Sequence, residues 1–190
     1  MNRQLENKME DWKSLIPEAV SKKYEVYNFN HALEILSQAY KQEFNEIIDA
    51  LENFSLLKVD IMSGGGNESA VPKKMSALLH PKDWSGVEIT GNLIVYLHSR
   101  NKSEPATERV IENFIDGHII DYVKGKIAID MEWNSKDQAF DRDLYAFRAF
   151  YECDIIACGI IITRSEALNG GCPLLVLGIT PQVIEDLGEN

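Results

Sequence analysis

The sequence predicts an α/β layer fold with a mixed central sheet flanked by helices. Helix-like and strand-like hydrophobic patterns interleave along the chain rather than forming separate blocks. Two late stretches, 155–163 and 174–179, are nearly continuous apolar runs, the pattern of strands covered on both faces. A chain of 190 residues with 45% hydrophobic content can bury a core of that kind.

The elements follow in order. Residues 9–16 predict a short helix stopped near Pro17. Residues 24–29 alternate and read as a strand. Asn30 is a good N-cap for one long amphipathic helix over 31–52, with Leu33, Leu36, Tyr40, Phe44, Ile47, Ile48 and Leu51 on its apolar stripe. Residues 56–61 read as a short strand. The Gly-rich segment 64–69 reads as a loop, and it lacks the G-K-[ST] ending of a nucleotide-binding loop. Pro72 opens a helix over 72–79. Residues 87–97 alternate as a strand, 101–106 form a loop and 108–114 are expected to be helical. An acidic hairpin comes next. Residues 138–153 predict a second amphipathic helix with Phe140, Leu144, Phe147 and Tyr151 on one stripe. The two apolar strands close the sheet, and Pro181 starts a terminal helix. No repeat, low-complexity stretch or linker interrupts the pattern, so 1–190 is expected to be a single domain.

Composition narrows the function. No apolar run approaches a transmembrane span, and the first residues lack the apolar centre of a signal peptide, so no membrane partner and a cytoplasmic location are expected. Cys153, Cys158 and Cys172 form no C-x-x-C and fit reduced, buried thiols. The histidines, among them His118, have no zinc spacing. A net charge of −11 counts against a nucleic-acid partner. The basic residues fall in short groups, however, such as Lys73-Lys74, Lys124 with Lys126, and Lys136 to Arg148, so one folded face is expected to be positive.

The most informative segment runs from His118 to Arg148. Lys124-Gly125 suits a two-residue turn, which would pair Val123 with Lys126, Asp121 with Ala128 and Ile119 with Asp130. Residues opposite one another share a face, as do alternate residues along a strand. Asp121, Asp130 and Glu132 then converge, while Ile120, Tyr122, Ile127, Ile129, Met131 and Trp133 take the opposite, apolar face. A slip of one residue would drive Asp121 in among Ile127 and Ile129, at the cost of a desolvated charge. Clustered carboxylates repel. Either water solvates them at the edge of the hairpin, or a hard divalent cation neutralises them.

The hairpin, with its acid, eight residues, acid, one residue and polar group, resembles the core of PD-(D/E)xK nucleases. The start of the long helix, Asn30-His31-Ala32-Leu33-Glu34, the helix beginning near Asp141-Arg142-Asp143-Leu144 and the tail Cys172-Pro173-Leu174 to Pro181 are similar to the restriction endonuclease group of BamHI, BglII and BstYI. The resemblance implies a PD-(D/E)xK restriction-endonuclease-like fold. It also implies double-strand cleavage of DNA at a short palindrome, with a GATC centre suggested by the family alone. Asp121 and Asp130 would bind Mg²⁺, with Mn²⁺ able to substitute. Glu132 stands where BglII and BstYI carry Gln and BamHI carries Glu, and it would orient or deprotonate water. Asp130 is shorter than the subgroup's usual Glu. Glu88 is an accessory carboxylate candidate. Asn134, Ser135, Lys136, Arg142, Lys73 and Lys74 are candidate DNA contacts, with base reading expected just beyond the acidic strand. A palindrome implies a two-fold homodimer on double-stranded DNA.

Three alternatives compete. A DNA-binding paralogue with a weakened centre keeps the fold. A repair-type nuclease keeps the chemistry. An acidic protein-interaction domain keeps neither, and would not require three acids on one sheet face.

Overall fold

The computed structural model describes residues 11–57, 60, 70–100, 105–133, 138–164 and 174–179. Its centre is a six-stranded sheet in the order β1-β6-β5-β4-β3-β2. The strands are β1 (Glu25–Asn28), β2 (Ser85–Leu97), β3 (Thr107–Lys124), β4 (Ile127–Glu132), β5 (Cys158–Arg164) and β6 (Leu174–Ile179). β1 runs parallel to β6 and β4 parallel to β5, and the remaining neighbours are antiparallel, so the sheet is mixed as the sequence predicts. The helices are α1 (Glu18–Ser21), α2 (Ala32–Ala39), α3 (Lys41–Asn53), α4 (Ala70–Leu79) and α5 (Gln138–Glu152).

Two apolar clusters cover the two faces of the sheet. On one face Leu36 of α2, Leu51 of α3 and Met75 of α4 pack on Tyr122, Ile129 and Ile160. On the other, Ala146, Phe147 and Phe150 of α5 pack on Val123, Ala128 and Ile161. α5 lies very close to β5: a Cβ at Gly159 would stand 2.7 Å from the Phe147 ring, so only glycine fits there.

Several sequence expectations change. The helix expected over 31–52 is two helices, broken at Tyr40 (φ −127°, ψ 55°). Asn30 does not cap it: Asn30 and His31 both take positive φ, 47° and 59°, and the cap comes from Asn28, whose Oδ1 accepts the Leu33 N–H at 2.9 Å. Near the N-terminus a 3₁₀ turn, Asp11–Leu15, replaces the expected helix. Of the strand expected over 56–61, residues 56, 57 and 60 are not in a strand, and the others lie outside the described residues. Residues 108–114 are not helical but belong to β3, in a long hairpin with β2. Asn113, at φ 52°, is incompatible with a helix interior, and adjacent register shifts let both strands bend. The loops over 64–69 and 101–104 and the helix at Pro181 lie outside the described residues.

The acidic hairpin turns one residue later than expected. Gly125, at φ 55°, and Lys126 form the turn, and the pairs are Lys124↔Ile127, Val123↔Ala128 and Tyr122↔Ile129. Relative to the expected register β4 moves by two residues, and with a period of two each side chain keeps its face. Tyr122, Ile127, Ile129, Met131 and Trp133 accordingly join the apolar cluster under α2–α4. Ile120 does not; it packs with the α5 cluster. The cause is a register irregularity in which Gly86 alone, between Ser85↔Val123 and Val87↔Ile120, opposes two residues, Asp121 and Tyr122. Such a bulge re-aims the side chains around it.

Candidate active site

The β3–β4 ladder stops at Tyr122↔Ile129, and the next residues on each strand are Asp121 and Asp130. Beyond that point β4 keeps its partner β5 through Glu132↔Thr163. Asp121 Oδ2 accepts the Met131 N–H at 3.1 Å, so a side chain takes the place of a ladder bond there. Thr163 Oγ1 donates to the Glu132 carbonyl at 2.9 Å and fixes the end of β4. The result is a cleft of about 270 Å³ lined by Asp121, Asp130, Glu132, Arg142 and Asp143, with Gly117, His118 and Ile119 also on its wall. The hairpin acids therefore meet as the alternation predicts, with Asp121 abreast of Asp130 rather than diagonal to it.

The electrostatics are those of crowded carboxylates. Asp130 is 4% exposed. Burial, then the charges of Asp121 and Asp143, push its carboxyl up to about 9. Burial and contact with Asp143 push Glu132 up to about 7, against a smaller opposing pull from Arg142. Arg142 Nη2 donates to Glu132 Oε1 at 3.0 Å and to Asp143 Oδ1 at 3.1 Å, and its Nε donates to the same Oδ1 at 3.2 Å. The other oxygen of Asp143, Oδ2, is buried without a hydrogen-bond partner.

Asp143 is the site residue that sequence reasoning missed. The expected stripe on α5 ran through Phe140, Leu144, Phe147 and Tyr151; Phe147 is buried as expected, yet Tyr151 is 45% exposed. The buried face instead runs through Asp143, Ala146, Phe147 and Phe150. These positions have helical spacing, i, i+3, i+4 and i+7. A carboxylate on a stripe that is otherwise apolar was the available signal.

The other candidates spread out. Glu88 is exposed and pairs with Ile119; its Oε1 lies 3.0 Å from where a Gly117 Cβ would be, at the rim of the cleft. Lys73 and Lys74 are on α4, in the layer across the sheet from α5. Lys74 pairs with Asp60 at 2.5 Å and donates to the Ser55 carbonyl. Arg142 lies in the cleft, bonded to acids. Asn134, Ser135 and Lys136 fall outside the described residues. Elsewhere the basic groups resolve into acid–base pairs: Lys124 with Glu46, Lys126 with Asp154, and Arg148 with Glu152. Of the thiols, Cys158 is buried and Cys153 exposed.

The donor set suits a hard cation. It consists of carboxylate oxygens, and one of them is buried and unpartnered. Among the described residues no three Asp, Glu, His or Cys side chains are grouped so as to enclose an ion. Mg²⁺ does not require that, since it takes one or two carboxylates and keeps several waters.

A sequence-family model described as restriction endonuclease BglII/BglIII matches residues 24–170. The chain belongs to this restriction endonuclease family. The matched residues include β1 to β5, α2 to α5 and the whole cleft. Membership makes the fold that of the PD-(D/E)xK nucleases and the protein an endodeoxyribonuclease by family, with DNA as its substrate. Restriction endonucleases of this family generally use a divalent metal. No curated protein matches the chain. No helix among the described residues is long and apolar enough to cross a membrane.

Proposed function

We propose that this chain is a type II restriction endonuclease that cuts both strands of DNA at a short palindromic site, with Mg²⁺ as its cofactor. The observation that carries the proposal is the convergence of Asp121, Asp130 and Glu132 in one cleft, on a hairpin whose other face is core. Asp121 and Asp130 hold the ion. Bound there, Mg²⁺ supplies Lewis acidity toward a phosphodiester and its leaving oxygen. Glu132 lies at the open end of β4 and orients the attacking water or accepts its proton. Mn²⁺ substitutes, since it shares the preference for carboxylate and water ligands. The chain acts in the cytoplasm as a single domain and as a two-fold homodimer, because a palindrome presents each half-site twice. A GATC-centred site rests on the family resemblance alone.

A second reading has its own observation. Arg142 already neutralises Glu132 and Asp143, and many basic groups are bonded to acids, as a weakened DNA-binding paralogue would tolerate. Incubating the full chain with plasmid and genomic DNA and Mg²⁺ separates the two. Discrete fragments of constant size support the restriction enzyme. Retention of DNA without cutting supports the paralogue, and a smear supports a less selective nuclease.

A further inference from the structure

Asp143 has no structural reason to be a carboxylate. It is 2% exposed on the face of α5 that packs against the sheet, in line with Ala146, Phe147 and Phe150. Its Oδ1 is served twice by Arg142, the next residue back in the chain. Its Oδ2 is buried and accepts from no donor. An unmet buried acceptor costs stability, more so on a charged group. The groups around it make the cost worse. Asp130 and Glu132 face it from β4, Asp121 completes the acidic wall from β3, and Arg142 is the cation that the electrostatics place against it. An apolar residue at this position would continue the stripe and remove the repulsion.

We propose that Asp143 is a third ligand-bearing residue of this centre, beside Asp121 and Asp130, giving its Oδ2 oxygen to the divalent cation. The proposal rests on the nuclease reading of the same cleft and adds a ligand from the helix to those of the hairpin. The buried oxygen is unpartnered because its partner is the ion. Arg142 serves as a latch: it holds Asp143 Oδ1 and Glu132 Oε1 together and leaves Oδ2 without a donor. A ligand from α5 also ties the helix layer to the sheet at the cleft, so loading with metal stiffens that junction.

Binding of Mn²⁺ to the full-length protein without DNA, followed by electron paramagnetic resonance and by thermal shift, tests this. Asp143→Asn keeps the shape and an oxygen for Arg142, and removes the anionic ligand. It is expected to weaken Mn²⁺ binding about tenfold or more, the scale seen when groups around a metal are removed. It is also expected to leave the metal-free melting temperature unchanged or raised. Asp141→Asn, an exposed neighbour on the same helix, removes the same charge and is expected to leave Mn²⁺ binding within about twofold, as a screened surface charge should. Wild-type affinity in Asp143→Asn, equal losses in both variants, or no Mn²⁺ binding by the wild type would each overturn the proposal. If Asp143→Asn fails to fold, Asp143→Ser, which is smaller and uncharged, takes its place under the same criteria. The nuclease reading fails separately, through absence of DNA cleavage by the wild-type protein with Mg²⁺.

Discussion

Ile129 and Asp130 are neighbours on β4, both almost fully buried at 0% and 4% exposure, yet they face different environments. Ile129 points under α2–α4 into hydrocarbon, beside Tyr122, Met131 and Ile160. Asp130 points toward α5 into a wall of carboxylates. One face of a single strand is satisfied by what surrounds it and the other is not. Burial by itself does not mark a functional residue; burial without a compensating partner does. The structural face of this hairpin should answer mutation with lost stability, and the acidic face with lost function and, in places, gained stability.

The sharpest way to break that contrast is Asp121→Asn. The amide keeps an oxygen to accept the Met131 N–H, now bonded to Asp121 Oδ2 at 3.1 Å, while the charge disappears. Cleavage is expected to fall about 10³-fold or more, the rate scale of several kcal/mol of metal-ion stabilisation, with little change in melting temperature. Ile129→Ala is the mirror experiment. It should cost about 2–5 kcal/mol of stability by denaturant unfolding, as buried large-to-small changes do, and spare cleavage under conditions where the protein stays folded. If Asp121→Asn unfolds the protein, or Ile129→Ala abolishes cleavage in a folded sample, the two faces are not separable.

A smaller effect concerns pH. Asp130 titrates at about 9 in the folded protein against an ordinary 3.8. Between those values the folded state binds more protons than the unfolded chain, so stability falls as pH rises. The contribution of neutral Asp130 is complete below 3.8 and is lost as pH passes through about 9. Glu132, raised to about 7, acts in the same direction at lower pH. Metal-free melting temperatures from pH 5 to 9 are expected to drop more steeply for wild type than for Asp130→Asn. Parallel curves would mean that Asp130 does not titrate abnormally. Because a cation displaces these protons, Mn²⁺ affinity should rise over the same window.

Much of the site could be read from the sequence because strand alternation survives errors in detail. The expected turn at 124–125 lies one residue before the observed one, but the two-residue register change keeps Asp121, Asp130 and Glu132 in the same cleft. Ile120 departs from the expected face because a bulge opposite Gly86 breaks the alternation on which the expectation rests. In residues 108–114, where a helix is expected, Val110, Ile111 and Phe114 have helix-like spacing. They form a strand because β2 offers a long partner, and tertiary pairing overrides local spacing. Asp143 escaped notice for a different reason. Amphipathic reading assigns charges to the outside, and here a charge lies on the inside.

The smallest expected effect separates two ion pairs on α5 that look alike in sequence. Arg142 bonds Glu132 and the buried Asp143, whereas Arg148 bonds Glu152, four residues on, with both side chains about half exposed at 45% and 60%. Exposed i,i+4 pairs lose most of their Coulomb energy to water and salt and must also order two long side chains. Glu152→Gln is therefore expected to change stability by less than about 0.5 kcal/mol, and DNA cleavage by less than about twofold, at physiological salt. A loss of more than about 1 kcal/mol, or a tenfold drop in cleavage, would mean that solvent does not screen this outward face. The face would then be covered in the working enzyme, and a second copy of the chain, as in the proposed homodimer, is the first occupant to test, by whether the wild-type melting temperature rises with protein concentration and Glu152→Gln reduces that rise.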